Sequence, residues 1–559
     1  MVSSDLRLTQ SFNSKILLLT CFLVPIFITP WFNLDPISLP RLALISVVGL
    51  TQLPNLLLLT RKSGYTLRFW RKLEVDVFTL LLVAFLTCGT ITLFVAPKSI
   101  VLQSMGTDSR NAGFLVVLSI SLICLSITKF VNSNKVSLII YSILFGGALN
   151  LVYGMIQILD LDPVDWKNPY GPIIGTMGNP NFMSAYLGIF SILISSILGF
   201  KDALDAKTRI FLFSILITSI YLVLTTRSVQ GLVVIGAGIC IILLLRYKRV
   251  ISKKYLPWIF LSIIALSATT ALGFLGRGTL GNYLYQSTLE VRFFYWNAAL
   301  SMIRSSPLFG HGFDSFGTWY TLFRSKESTE LYGAGLVSDS AHNILLDLGV
   351  FGGVPLVASY SLIQILTLIK GIKVLRNKER VSWQYESAFV AWIGFQLQSL
   401  ISPIQIVLLF TGFILGAVLW RDDLAFGKKV TIPKFESMKA PKVRAGFSIV
   451  LFLFMLVFTN KVLKADNDFR NAIVTGEGNS LKSSAFAWPL SERRLLIASR
   501  IFYANNYNDL GREIAFRALE LNPNNLDVLR ILVQDTSLRE EEIEKLAERI
   551  SKLDPHGVE

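Results

Sequence analysis

The feature that most limits what this chain can fold into is a pattern repeated along most of its length: apolar runs of roughly 18–25 residues separated by polar loops. A helix of about 20 apolar residues spans a hydrocarbon core, where no water is available to pair with the backbone. The runs fall near residues 15–33, 38–59, 76–96, 112–131, 136–159, 181–200, 208–225, 229–246, 255–275, 342–369, 386–401, 403–420 and 445–463. They predict an all-α, polytopic integral membrane protein of about 13 transmembrane helices. Of the 559 residues, 52% are hydrophobic and 16% charged, with a mean hydropathy of +0.56. That balance excludes an ordinary soluble domain.

The net charge of +16 is not a nucleic-acid footprint, because its distribution follows loop parity. The loop after the second run, RKSGYTLRFWRK, holds five basic residues, and later alternate loops are similarly basic. The intervening short loops carry only Lys98, Arg110, Lys167 and Arg227. This asymmetry predicts a cytoplasmic N-terminus and, with an odd number of spans, a C-terminal segment outside the cytoplasm. The first run follows Lys15 without a convincing cleavage site and reads as a retained span. Cys21, Cys88, Cys124 and Cys240 all lie inside apolar runs, so they form neither a disulfide framework nor a metal site.

Two loops on the outer side are long, Asp160–Pro180 and Gly276–Ala341. Long loops in a compact membrane protein are usually functional. The second ends in SDSAHNILLDLGVFGGVP, Ser338–Pro355, which contains one of only three histidines. Ser338, Asp339, Ser340 and Asn343 are helix-start residues, and Leu345, Leu346, Leu348, Val350 and Phe351 follow as an apolar face. His342 is therefore expected at a membrane surface, at the positive end of a helix, where it could exchange protons near neutral pH. A capping or packing histidine is the alternative. Arg227 and Arg292 belong to the same side, and guanidinium forks suit a diphosphate; headgroup snorkelling is their alternative role. Asp347 comes five residues after His342, slightly more than one helical turn, so it need not share its face. No nucleotide-binding loop occurs, and the glycines of Leu308–Phe313 are not followed by a lysine. An enzyme of this kind would need an already activated substrate, and a lipid diphosphate fits.

The segment 464–559 reads as soluble and helical. Ser491–Ala504 with Asn508–Leu521, and Leu526–Gln534 with Leu538–Leu553, make two helix pairs ending alike at Leu521-Asn522-Pro523 and Leu553-Asp554-Pro555. Leu495, Ala498, Phe502, Gly511, Ala518 and Pro523 occupy the large and small positions of a tetratricopeptide unit; a generic helical hairpin is the alternative. Either way the expected role is docking or stabilisation.

At these residues the chain resembles the O-antigen ligase and O-antigen polymerase superfamily, which includes bacterial protein O-oligosaccharyltransferases. The resemblance covers about residues 75–420. It rests on HNxxLDxxxxxG (His342, Asn343, Leu346, Asp347, Gly353), on RxxYWxxAL leading to PxxGxGxxxF (Arg292, Tyr295, Trp296, Ala299, Leu300, Pro307, Gly310, Gly312, Phe316), and on GNPN at Gly178–Asn181. It implies a metal-independent, inverting glycosyltransferase with no cofactor. Such an enzyme moves a glycan from undecaprenyl diphosphate to a glycan, lipid or protein acceptor on the outer face of the plasma membrane. By the same resemblance Arg292 holds the diphosphate, His342 is the general base and Asp347 orients or tunes the site. Asn179, Asn181, Asn343, Tyr295 and Trp296 line the substrate, and His311 is a bystander. The family's Ser-Arg-Gly order after the seventh span is altered here to Arg227-Ser228-Val229-Gln230-Gly231, so Arg227 is a displaced candidate for a second diphosphate ligand.

The expected division is 1–75 for the first helices, 76–420 for the catalytic region with its outer loop 276–341, 421–463 for a basic cytoplasmic loop and the last span, and 464–559 for an extracytoplasmic helical domain. Partners expected besides the substrates are membrane lipids and envelope-assembly proteins docking on the tail. Ligase, polymerase and protein-glycosylating activities stay open. So does a flippase for lipid-linked sugars, although no half-to-half repeat is evident and the polar residues gather at one surface rather than at the midplane.

Overall fold

A computed structural model describes residues 2–57, 66–69, 73–166, 168, 173–247, 269, 278, 287–376, 381–421, 424 and 441–557. The expected span 255–275 apart from residue 269, Lys167 and parts of the basic loops lie outside the described residues. The chain is helical in the main, and among the described residues seven helices are long and apolar enough to cross a membrane: Val77–Val95, Ser133–Ile158, Pro180–Phe200, Ala206–Thr225, Val229–Tyr247, Ile344–Arg376 and Ala445–Thr475. Shorter apolar helices cover Asn13–Leu23, Phe114–Phe130 and Ile406–Leu419. Two features depart from the sequence expectation. The first helix runs Val2–Leu23 and stops short of residue 33, because Pro25 and Pro30 cannot extend it. The basic loop after the second run folds partly into two antiparallel strands, Thr66–Phe69 and Leu73–Asp76.

The bundle is organised around Pro180–Phe200, the most buried of the long helices. It packs against Ala206–Thr225, Val229–Tyr247 and Trp383–Ser399. The closest approach uses small residues: the Ser184 hydroxyl accepts from the Gly231 N–H at 3.0 Å and donates to the Ser228 carbonyl at 3.1 Å. A Cβ on Gly231 would stand 2.4 Å from the Ser184 carbonyl oxygen, so only glycine lets these backbones meet. On the outside, Ile210, Phe211, Phe213, Ile217 and Leu224 of Ala206–Thr225 are exposed. An outward apolar face of this kind requires lipid as its solvent.

A second group sets Ile344–Arg376 against Val77–Val95 and Ser287–Ser305. Ile344–Arg376 is broken at Gly352 and Gly353, where Gly353 takes φ 68°. The break strands carbonyls, since Pro355 has no N–H to offer Phe351. The segment Pro307–Gly312 repairs it. His311 N–H donates to the Val350 carbonyl at 2.8 Å, Gly312 N–H donates to that of Phe351 at 2.9 Å, and Val354 N–H donates to the Pro307 carbonyl at 2.7 Å. A Cβ on Gly310 or Gly353 would come within 2.4 Å of the opposing backbone. The glycines of the two sequence motifs are thus the two sides of one backbone clasp.

Pro441–Thr475 continues beyond the apolar run into the tail. There Gly478–Ala485, Glu492–Ala504, Asn508–Leu521, Leu526–Val533 and Glu540–Leu553 enclose a separate core around Phe469, Leu495, Phe502, Ile514 and Leu529. The tail is not free-standing. Arg324, in the loop before His342, pairs with Asp554 at 2.8 Å, both side chains 1% exposed. Ser491 Oγ donates to Asp108 at 2.9 Å, and Asp466 accepts from the Leu34 N–H at 2.7 Å. Arg324 also donates to the Ala334 carbonyl at 2.8 Å, so the tail reaches the loop that leads to His342. Asp554→Ala leaves Arg324 buried without its carboxylate, which costs about 3–5 kcal/mol. The expected result is a lower melting temperature and faster proteolysis within 324–341 in the full-length protein, with Asp554→Glu largely restoring both.

Candidate functional site

His342 sits two residues ahead of the helix Ile344–Arg376, half-buried, in the left-handed region at φ 55°. That conformation is costly for a non-glycine residue and persists only where neighbours fix it. Here Asp347, fully buried, provides the anchor. It accepts from Ser340 Oγ at 2.7 Å and from the Ala341 N–H at 2.8 Å, and Ser340 Oγ in turn accepts the His342 N–H at 2.9 Å. Asp347 therefore acts on the histidine through the backbone turn and makes no hydrogen bond to its ring. Asn343 caps the helix, its Oδ1 accepting from the Leu345 and Leu346 N–H groups at 3.0 and 3.3 Å.

The ring of His342 stacks on Tyr295, with centroids 5.7 Å apart and an interplanar angle of 27°. Its Nδ1 is buried and has no hydrogen-bond partner. Burial, reinforced by the positive charge of Arg292 and only partly opposed by Asp339, holds the imidazole well below the usual histidine range. It is neutral at physiological pH and able to accept a proton.

Arg292, Tyr295 and Trp296 lie at i, i+3 and i+4 on Ser287–Ser305, the spacing that shares one helix face. Arg292 is 6% exposed. Among the described residues no carboxylate pairs with it and no hydrogen bond reaches its guanidinium. Burial pushes its pKa down, with Tyr295 opposing. Trp296 Nε1 is likewise buried with no partner. A buried cation, an unpartnered donor on the same helix face and a neutral imidazole together suit an anionic ligand.

The other sequence candidates stand apart. Asn179 caps Pro180–Phe200, its Oδ1 accepting from the Asn181 N–H at 2.8 Å. Arg227 is exposed, with φ 56°, in the turn packed beside Ser184. Among the described residues no hydrogen bond or ion pair joins Asn179, Asn181 or Arg227 to His342 or Arg292. His311 is structural, its Nε2 bonded to Ser305 Oγ at 3.0 Å and its ring against Trp319 at 4.9 Å. No three His, Cys, Asp or Glu side chains converge as a metal-binding group among the described residues.

Sequence reasoning missed Arg110, which it counted only as an outer-loop charge. Its guanidinium pairs with the Asp339 carboxylate and donates to the Asp339 carbonyl at 2.7 Å, placing a second cation beside the histidine loop. Asp339 counted only among the helix-start residues, and no local signal pairs it with Arg110.

No curated protein matches the chain. Residues 212–361 match the family model described as O-antigen ligase. The matched stretch contains Arg227, Arg292, Tyr295, Trp296, His342, Asn343 and Asp347, together with both halves of the glycine clasp. Over that stretch, the chain is similar to the O-antigen ligase family.

Proposed function

We propose that this protein transfers a glycan from undecaprenyl diphosphate to an acceptor hydroxyl on the outer face of the plasma membrane, by an inverting and metal-independent route. The match over residues 212–361 supports a glycan ligase- or polymerase-type membrane protein acting on lipid-linked glycan and acceptor. The observation that carries the finer reading is Arg292, a buried guanidinium with no carboxylate partner among the described residues, whose charge helps keep His342 neutral. A diphosphate supplies the missing negative charge, and the guanidinium binds its oxygens as a fork. The acceptor O–H gives its proton to His342 while its oxygen attacks the anomeric carbon. The bond from that carbon to the diphosphate breaks in the same displacement, inverting the centre, and the departing diphosphate keeps the electron pair against Arg292. His342 then returns its proton to solvent. Asp347 holds the turn that aims the imidazole. The outer-face assignment is supported by the alternation of basic loops and by the Arg324–Asp554 pair, which joins the tail to the loop before His342.

The test removes the protein from its host and restores wild type or His342→Ala at matched membrane levels, with surface and lipid-linked glycans read by mass spectrometry. Only wild type is expected to restore the surface product. Long unattached glycans on lipid in the mutant identify a ligase, and single repeat units a polymerase. Full restoration by His342→Ala overturns the reading and favours transport of the lipid-linked sugar.

A further inference from the structure

We propose that Arg110 is a second cation of the donor site, and that Asp339 occupies it as a stand-in until the donor's diphosphate displaces the carboxylate. This rests on the function proposed above. Arg110 lies between the helices Ile100–Met105 and Phe114–Phe130, outside the residues matched by the family. Its side chain is 10% exposed, whereas that of its partner Asp339 is 65% exposed. In the pair with Asp339 the cation is fixed and the anion faces water. One guanidinium nitrogen, Nη1, is buried with no hydrogen bond. A second carboxylate, Asp314, is fully buried with Oδ1 3.8 Å from Nη1, too far for a hydrogen bond, while its Oδ2 accepts the Thr107 N–H at 2.7 Å. Arg110 thus keeps an unused donor while its second arm holds a carboxylate that can swing out.

The charge count favours a diphosphate. Two linked phosphates carry more negative charge than the single fork of Arg292 neutralises, and a carboxylate on a guanidinium reproduces the contact that a phosphate oxygen makes. Asp339 is three residues from His342, so a ligand that takes its place lies beside the base. Arg227 is not needed for this arrangement. The altered residue order around it, read from the sequence as a displaced ligand, is compensated by an arginine from a different loop.

The test uses the full-length protein in lipid nanodiscs, with farnesyl diphosphate as a short polyprenyl diphosphate probe and calorimetry as the readout. Asp339→Asn is expected to bind the probe roughly fivefold tighter than wild type, since the competing carboxylate is gone. Arg110→Gln is expected to bind it about tenfold weaker, and the double variant to behave like Arg110→Gln alone. Asp339→Ser provides the same comparison should Asp339→Asn unfold. Weaker or unchanged binding in a folded Asp339 variant overturns the stand-in role and leaves a structural pair. Arg292→Gln separates the two readings. Loss of binding there, with indifference at Arg110 and Asp339, removes only this inference. A wild-type protein that does not bind the probe, or binds it independently of Arg292, removes the donor assignment as well.

Discussion

His342→Gln lowers turnover by about 10²–10⁴-fold, the range by which a positioned general base contributes, while donor binding changes little. Glutamine keeps a planar polar side chain against Tyr295 but accepts no proton at neutral pH. The pH profile carries the sharper information. Burial and the charge of Arg292 depress the imidazole pKa in the free protein. The rate kcat/KM, which reports the free enzyme, therefore stays level as pH falls through the usual histidine range and declines only at more acid pH. Bound diphosphate offsets the charge of Arg292, so the imidazole pKa rises in the complex and the acid limb of kcat appears at higher pH than that of kcat/KM. Both profiles follow from initial rates in membrane vesicles at several donor concentrations. Coincident limbs at the ordinary histidine value, with chemistry rate-limiting, would falsify the electrostatic coupling, and a fully active His342→Gln protein removes the base role altogether.

What the sequence made legible follows from where each signal resides. Helices were readable because a lipid solvent forces every backbone group to pair within its own segment. Thus Val77–Val95, Val136–Ile158, Pro180–Phe200 and Ile406–Leu419 fall within a few residues of the apolar runs. The histidine at a helix start was readable because Asn343 and Asp347 are local, and the tail helices because their apolar spacing is local. The glycine clasp was missed: residues 342–369 read as one continuous span although the helix breaks at Gly352 and Gly353, and nothing local says that Pro307–Gly312 will fill the break. The Arg110–Asp339 and Arg324–Asp554 pairs join residues 229 and 230 positions apart. No periodicity encodes such contacts; they are set by how the loops pack once the helices are in place. Asp347 shows the same limit on a smaller scale. Its spacing from His342 left direct contact open, and the structure resolves it as a backbone anchor through Ser340.

Arg292→Lys is expected to lose about 10²–10³-fold in rate although the charge is conserved, the cost typical of a misplaced transition-state donor. The ammonium is a point charge on a flexible stem and cannot present two parallel N–H groups to the departing diphosphate. Comparison with Arg292→Gln then separates charge from geometry. Lysine keeps a positive charge near His342, so the acid limb of kcat/KM stays where it is in wild type. Glutamine removes one cause of the depressed imidazole pKa, so the limb moves to higher pH as the rate falls. A residue that merely packs the helix Ser287–Ser305 would lower the rate in both variants and leave the limb in place in both. If the limb does not move in Arg292→Gln, the guanidinium is not electrostatically coupled to the base. If Arg292→Lys retains full activity, the donor is not held by a fork at this position. Either result breaks the link between the buried cation and the histidine on which the proposed transfer depends.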